Sequence, residues 1–305
     1  MRQLDAELRR FFARRIVRGT FLIAVLLVVL VVTIGTTKGH AGHAYSLDPQ
    51  TGQITDAATG QVIGTRGSGE IPSSFSGTDE NGRVLLGQSD TRTNIGKDLT
   101  NALEGTGIAL LFVSFVLGAS FVGAEFNVGS LTTQLLFEPR RWRVHLAKSG
   151  AVFLGTAALA FAVLLLVALA LYIGSELNGV VQGLDGGFVA HRTAQALRVA
   201  AVIGTGAMLA YSVTLIAKRS SAGIIAFILQ FVLLNLINPN RGTFAPISRY
   251  APIRGLIATL VKHTDGSSVQ ERAIHTIGGG VVLTAVWIVI IVGGSGILFA
   301  RAEVR

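Results

Sequence analysis

Cysteine is absent from the 305 residues, which excludes disulfides, thiolate metal sites and Cys nucleophiles. Charge is scarce: 14% of residues are charged while half are hydrophobic. A soluble core of this size does not need so much apolar residue, so composition places the chain in a membrane. A phosphate-cradling loop is also missing. The nearest Gly-rich run, Gly64-Thr65-Arg66-Gly67-Ser68-Gly69, lacks the Lys that would neutralise phosphate charge. Neither a Gly-x-Ser-x-Gly elbow nor a His-Glu-x-x-His helix presents a catalytic set. His40 and His43 alone are too few ligands to fix a metal. The chain is therefore expected to have no catalytic centre and no cofactor or metal site of its own.

What the chain does have is long apolar runs. A spanning helix needs ~20 mostly apolar residues, since the hydrocarbon layer is ~30 Å thick and each residue rises ~1.5 Å. Six stretches meet that length: 19–37, 105–124, 149–173, 197–217, 222–238 and 278–300. The fifth is short and crosses only if it stands nearly upright. These predict an all-α polytopic membrane protein of six transmembrane helices, with both termini on one side. Segments 1–18, 125–148, 218–221 and 301–305 hold 14 Lys/Arg against five acids, whereas the rest of the chain holds 12 of each. The net excess thus falls on one face, which the positive-inside rule assigns to the cytoplasm of a plasma membrane. The same asymmetry accounts for the high pI without invoking nucleic acid.

Residues 2–18 read as an amphipathic helix with Leu4, Leu8, Phe11, Phe12 and Ile16 on one face and arginines mostly elsewhere. Such a helix is expected to lie in the inner headgroup layer of the bilayer. A cleaved signal peptide is disfavoured by the lack of an A-x-A site and by the five further spans. Residues 38–104 form a polar external insertion. A loose repeat sets Asp48–Gly52 before Gln53-Ile54, Asp56–Gly60 before Gln61-Val62, and Asp79–Gly82 before Arg83-Val84. Asp, then a Gly able to take positive φ, then a β-prone residue describes turns feeding strands. Either a small strand-containing domain or a poorly ordered loop fits. A second external loop covers 174–196. Segment 239–277 is a third, with Ile253, Leu256, Ile257, Leu260 and Val261 at helical spacing; they suggest a short helix at the outer surface or dipping into it.

Polar residues in the spans are sparse and uncharged. Ion-coupled carriers often keep an ionisable group at mid-membrane, so this weighs against a secondary transporter. Gln230, Asn235, Ser114 and Tyr211 are candidates for lining a translocation path. Equally, Gln230 and Asn235 are candidates for interhelical hydrogen bonds. Ser114/Gly118 and Gly206/Ala210 place small residues one helical turn apart, a packing pattern.

Segment 125–148 is more than a joining loop. Gly129-Ser130 can begin a helix, Leu131, Leu135 and Leu136 supply an apolar stripe, and Pro139 stops it. Arg140, Arg141 and Arg143 follow, and Lys148 leads back into the membrane. The order Glu125, Gly129-Ser130, Leu135-Leu136, Pro139, Arg141 and Lys148 resembles the E…GT…LL…P…R…K signature of ABC-2 type exporter permeases. In that family the signature follows the second of six spans. Ser130 stands where Thr is usual, and the run Arg140-Arg141-Trp142-Arg143 departs from the family's small residue followed by Arg. The resemblance implies a non-catalytic transmembrane subunit working as a dimer with a second copy or a sister permease. It further implies a separate nucleotide-binding ATPase subunit that holds ATP and Mg and docks beneath residues 125–148. A non-transporting membrane scaffold that binds a partner through the basic loop is the alternative.

Overall fold

The computed structural model describes residues 2–38, 44–47, 53–56, 61–65, 75–78, 84–87, 95–129, 134, 140–178, 185–219, 221–236, 249–261 and 276–301. It divides into two compact units. One comprises residues 1–27, 100–168 and 185–305, the other residues 28–99 and 169–184. The helices are α1 (Arg2–Ala13), α2 (Arg15–Lys38), α3 (Ile95–Val128), α4 (Arg141–Asn178), α5 (Gly186–Ala217), α6 (Ala222–Leu236), α7 (Pro252–Leu260), α8 (Ile277–Ile288) and α9 (Gly294–Arg301). A π turn over Val289–Gly293 joins the last two.

Four helices are long and apolar enough to cross a membrane among the described residues: Asp98–Phe126, Arg141–Leu177, Gly186–Ala217 and Ile277–Arg301. By length and composition the chain is a helical membrane protein. The 24-residue α2 occupies the first predicted span, while the described part of α6, Ala222–Leu236, covers ~22 Å. Helices α3 and α4 overrun both predicted ends, and α5 overruns its predicted start. Their 34, 38 and 32 residues correspond to ~50 Å or more. Hydropathy marks the length that prefers lipid, whereas backbone hydrogen bonding continues into water. Residues 95–104 therefore belong to α3 rather than to the polar insertion, and 141–148 belong to α4 rather than to a loop. The predicted external loop 174–196 shrinks to the residues between Asn178 and Gly186. Asp185 caps the new start, accepting from the Phe188 N–H at 2.7 Å.

In the insertion the described residues between Ala44 and Gly87 form strands, the strand-containing of the two readings. Five four-residue strands, β1 (Ala44–Leu47), β2 (Gln53–Asp56), β3 (Val62–Thr65), β4 (Phe75–Thr78) and β5 (Val84–Gly87), form an antiparallel sheet in the order β3-β2-β1-β5-β4. The Asp-to-Gly repeat stands immediately before β2, β3 and β5, as turn chemistry dictates, although most of the turn residues lie outside the described residues. So do His40 and His43.

In the larger unit, small residues bring helices into backbone contact. A Cβ at Gly118 of α3 would overlap the Ala207 carbonyl of α5, and one at Gly206 would meet Leu111 at 2.7 Å and Ser114 at 2.9 Å. Gly204 faces the Phe153 carbonyl of α4 in the same way. Phe115 stacks on Phe227 of α6 at 4.4 Å between ring centroids, and Phe112 meets Phe231 edge-on at 4.7 Å. Helix α5 ends where Lys218 adopts a left-handed conformation (φ 54°), and α6 starts at Ala222, both where the sequence placed them. Helix α7 is buried along almost its whole length, Arg254 included. Gly255 and Gly280 abut, and Thr259 packs on α8, so the two backbones approach as closely as glycine allows.

Candidate functional site

The basic segment begins and ends in one buried ion cluster. Glu125, in the last turn of α3, accepts from Lys148 Nζ of α4 at 2.7 Å. Lys148 is 1% exposed and also donates to Glu7 Oε1 of α1 at 3.3 Å. Glu7 Oε1 accepts in addition from Gln134 Nε2 at 2.9 Å and from Arg10 at 3.1 Å. Arg14 stands 3.7 Å from Glu125 Oε1, donates to the Ser120 carbonyl at 3.0 Å, and lies 4.2 Å above the Phe121 ring. Lys148 Nζ lies 5.8 Å from the same ring. Burial lowers the Arg14 pKa, and the carboxylates of Glu125 and Glu7 oppose that fall.

Two buried carboxylates are thus matched by two cations, with Arg10 at the rim. Such a group holds together only while complete, because each ion loses its hydration on burial and regains it from its neighbours. Among the described residues the buried Oε2 atoms of Glu7 and Glu125 have no hydrogen-bond partner, so the carboxylates lean heavily on Lys148 and Arg14.

Helix α1 reaches this cluster by docking, which changes its expected role. Phe11 is fully buried, 5.8 Å from Phe121, and its ring occupies the space a Cβ on Gly155 would need, at 2.6 Å. Phe12 does not share that face, and neither does Ile16, which already belongs to α2: both point outward and are exposed. The helix is therefore pinned on the protein by its Glu7/Phe11 side. Gly155→Val is expected to eject Phe11 and loosen α1, seen as severalfold faster tryptic cleavage at Arg9 and Arg10 with the rest of the chain intact.

Of the residues expected in the coupling segment, the structure pairs Glu125 with Lys148 and places Gly129 just beyond α3 at φ +69°, a conformation that glycine adopts freely. Arg140 and Arg143 are exposed, and Arg141 is half-buried. Ser130, Leu131, Leu135, Leu136 and Pro139 lie outside the described residues. Trp142 is 43% exposed yet rests on Gly296 of α9, which has no room for a side chain. One turn on, His145 is fully buried. It donates from Nε2 to the Val292 carbonyl at 3.1 Å, where the π turn widens the helix; Ser295 Oγ donates to the same carbonyl at 2.9 Å. His145 also stacks on Tyr211 at 5.8 Å.

Ser114 is buried and donates to its own helix at Leu111, a packing position, and Tyr211 is buried against His145. Gln230 is half-buried on α6; Asn235 lies in the same helix, and its side chain is outside the described residues. The sequence had flagged Glu125 and Lys148 but not Glu7, Arg14, Gln134 or His145. A signal for Glu7 was present: a lone acid between Leu4, Leu8 and Phe11, on the apolar side of a basic helix, must find a cation if that side is buried. Comparison of the chain with family models, with curated proteins and with solved structures finds no match to any of them.

Proposed function

We propose that this chain is the membrane subunit of an ATP-driven transporter of the ABC-2 type, oriented toward export, with six crossings and both termini in the cytoplasm of a plasma membrane. On this reading residues 125–148 take the thrust of a separate ATPase subunit, which binds ATP and Mg. A second permease copy or a paralogue completes the translocation path.

The observation that carries the reading is the Glu125–Lys148 pair, tied to Glu7. A segment that transmits force must be fixed where it leaves the membrane and free where it meets its partner. The ion cluster fixes the point where α3 ends and α4 is under way, while Arg140, Trp142 and Arg143 face outward between them. Trp142 and His145 bear on the last helix, so a push on this segment has a mechanical route into α9 as well as into α3 and α4. Glu125 and Lys148 serve as the clamp, and the exposed arginines and the apolar stripe as the contact.

The experiment is co-purification from the native host. The chain is expected to bring down a nucleotide-binding ATPase, and R140E/R143E to lose most of it while remaining folded. Retention of the ATPase by that variant would remove residues 140–143 from the contact. A chain that brings down no ATPase at all would overturn the transporter reading and favour the scaffold.

A further inference from the structure

The outward side of α1 and of the first turn of α2 has no role in the clamp, yet its composition is not that of an idle surface. Arg9, Arg15 and Arg18 are exposed, and between them stand Phe12 and Ile16, 43% and 41% exposed. The single exposed acid on the helix, Asp5, is taken by Arg9 at 3.1 Å. The apolar stripe does not stop at the helix end. From Ile16 it continues along α2 as Leu22, Ile23 and Leu26, all exposed. Apolar side chains that run without a break into a lipid-facing stripe belong at the edge of the hydrocarbon, and the arginines beside them belong at headgroup depth.

We infer that the surface formed by Arg9 and Phe12 of α1 with Arg15, Ile16 and Arg18 at the start of α2 binds anionic phospholipid headgroups, and that the lipid holds α1 down on the Glu7–Lys148–Glu125 cluster. The choice of an anionic lipid follows from charge. A zwitterionic headgroup offers the same phosphate but cancels it with its own ammonium, whereas an anionic one keeps a net negative charge that the cationic side chains attract. Each arginine near such a surface contributes about fivefold in binding. The inference does not depend on the transporter reading, since it concerns only the helix and the bilayer.

The absence of native cysteine makes the test direct. Ala13→Cys, exposed on this face, gives a single attachment point for a fluorophore on the full chain in bilayer discs. Quenching by brominated phosphatidylglycerol is compared with quenching by brominated phosphatidylcholine at equal mole fraction. Preferential quenching by the glycerol lipid is expected, weakened by salt, lost in R15Q/R18Q and kept in R15K/R18K. Equal quenching by the two lipids in the parent protein would overturn the inference, as would undiminished preference in R15Q/R18Q or loss of preference in R15K/R18K. A face that neither lipid quenches would point instead to a protein partner and would overturn it equally.

Discussion

Lys148→Met is expected to lower stability by ~3–5 kcal/mol, the usual cost of removing one partner from a buried ion pair. The lysine is 1% exposed and serves two carboxylates, Glu125 at 2.7 Å and Glu7 at 3.3 Å. Methionine fills nearly the same volume, so packing is preserved and the loss is electrostatic. Arg14 remains, but at 3.7 Å from Glu125 it makes a longer contact, and its guanidinium is already committed to the Ser120 carbonyl. The measurement is the apparent melting temperature in detergent, together with protease sensitivity of α1, which should rise because Glu7 loses its anchor. The origin of the loss is separable. Adding Glu7→Gln to Lys148→Met removes one stranded charge while keeping an amide that Gln134 can still meet, so the double variant should recover part of the stability. A Lys148→Met protein that melts with the parent would show that the two carboxylates have other support. The clamp would then lose its physical basis.

How far the sequence revealed this arrangement depended on what each signal measures. Hydropathy located the apolar middle of α3, α4 and α5 but not their ends, because it scales with preference for lipid and is silent on where hydrogen bonding stops. The end of α5 and the start of α6 were legible for a different reason: Lys218-Arg219 is a local break in an apolar run, and a short polar turn between two helices admits few alternatives. Turn chemistry found the starts of β2, β3 and β5. It could not find β1 or β4, which no Asp-to-Gly turn precedes, nor the order in which strands pair. The site was legible in part. Glu125 and Lys148 stood out as charges bordering lipid, but their pairing joins residues 23 apart, and the link to Glu7 spans 141. No periodicity reaches so far. The amphipathic period of α1 was read correctly as a period and wrongly as a face, because Phe11 and Phe12 are neighbours in sequence and only the docked helix shows which of them turns inward. Helix α7 carried the clearest stripe of its length, yet a stripe reports that something apolar will be met, not whether that is lipid or α8.

The small residues give the sharpest separation of helix propensity from packing. Gly105 and Gly118 lie in the same helix α3. Among the described residues nothing stands within 4 Å of a Cβ at Gly105, whereas at Gly118 it would overlap the carbonyl of Ala207. Gly105→Ala is therefore expected to stabilise by ~0.5–1 kcal/mol, since alanine restricts the unfolded chain and favours helix. The same change at Gly118 carries that gain as well but must move α5. The obstruction is backbone, not the tip of a side chain that can swing away, and α5 is held from its other side by the contact of Gly204 with the Phe153 carbonyl of α4. Displacing one crossing thus strains the next. Overpacking in a close-packed core costs ~1–3 kcal/mol per offending group, and a helix wedged on both faces should lie at or beyond the upper end of that range. Gly118→Ala is expected to melt well below the parent and Gly118→Val to fail to yield monodisperse protein, while Gly105→Ala elutes and melts at or above it. Because small-residue contacts replace the hydrophobic effect as the force joining helices in lipid, equal behaviour of the two alanine variants would mean that α3 and α5 do not cross at Gly118 and Ala207.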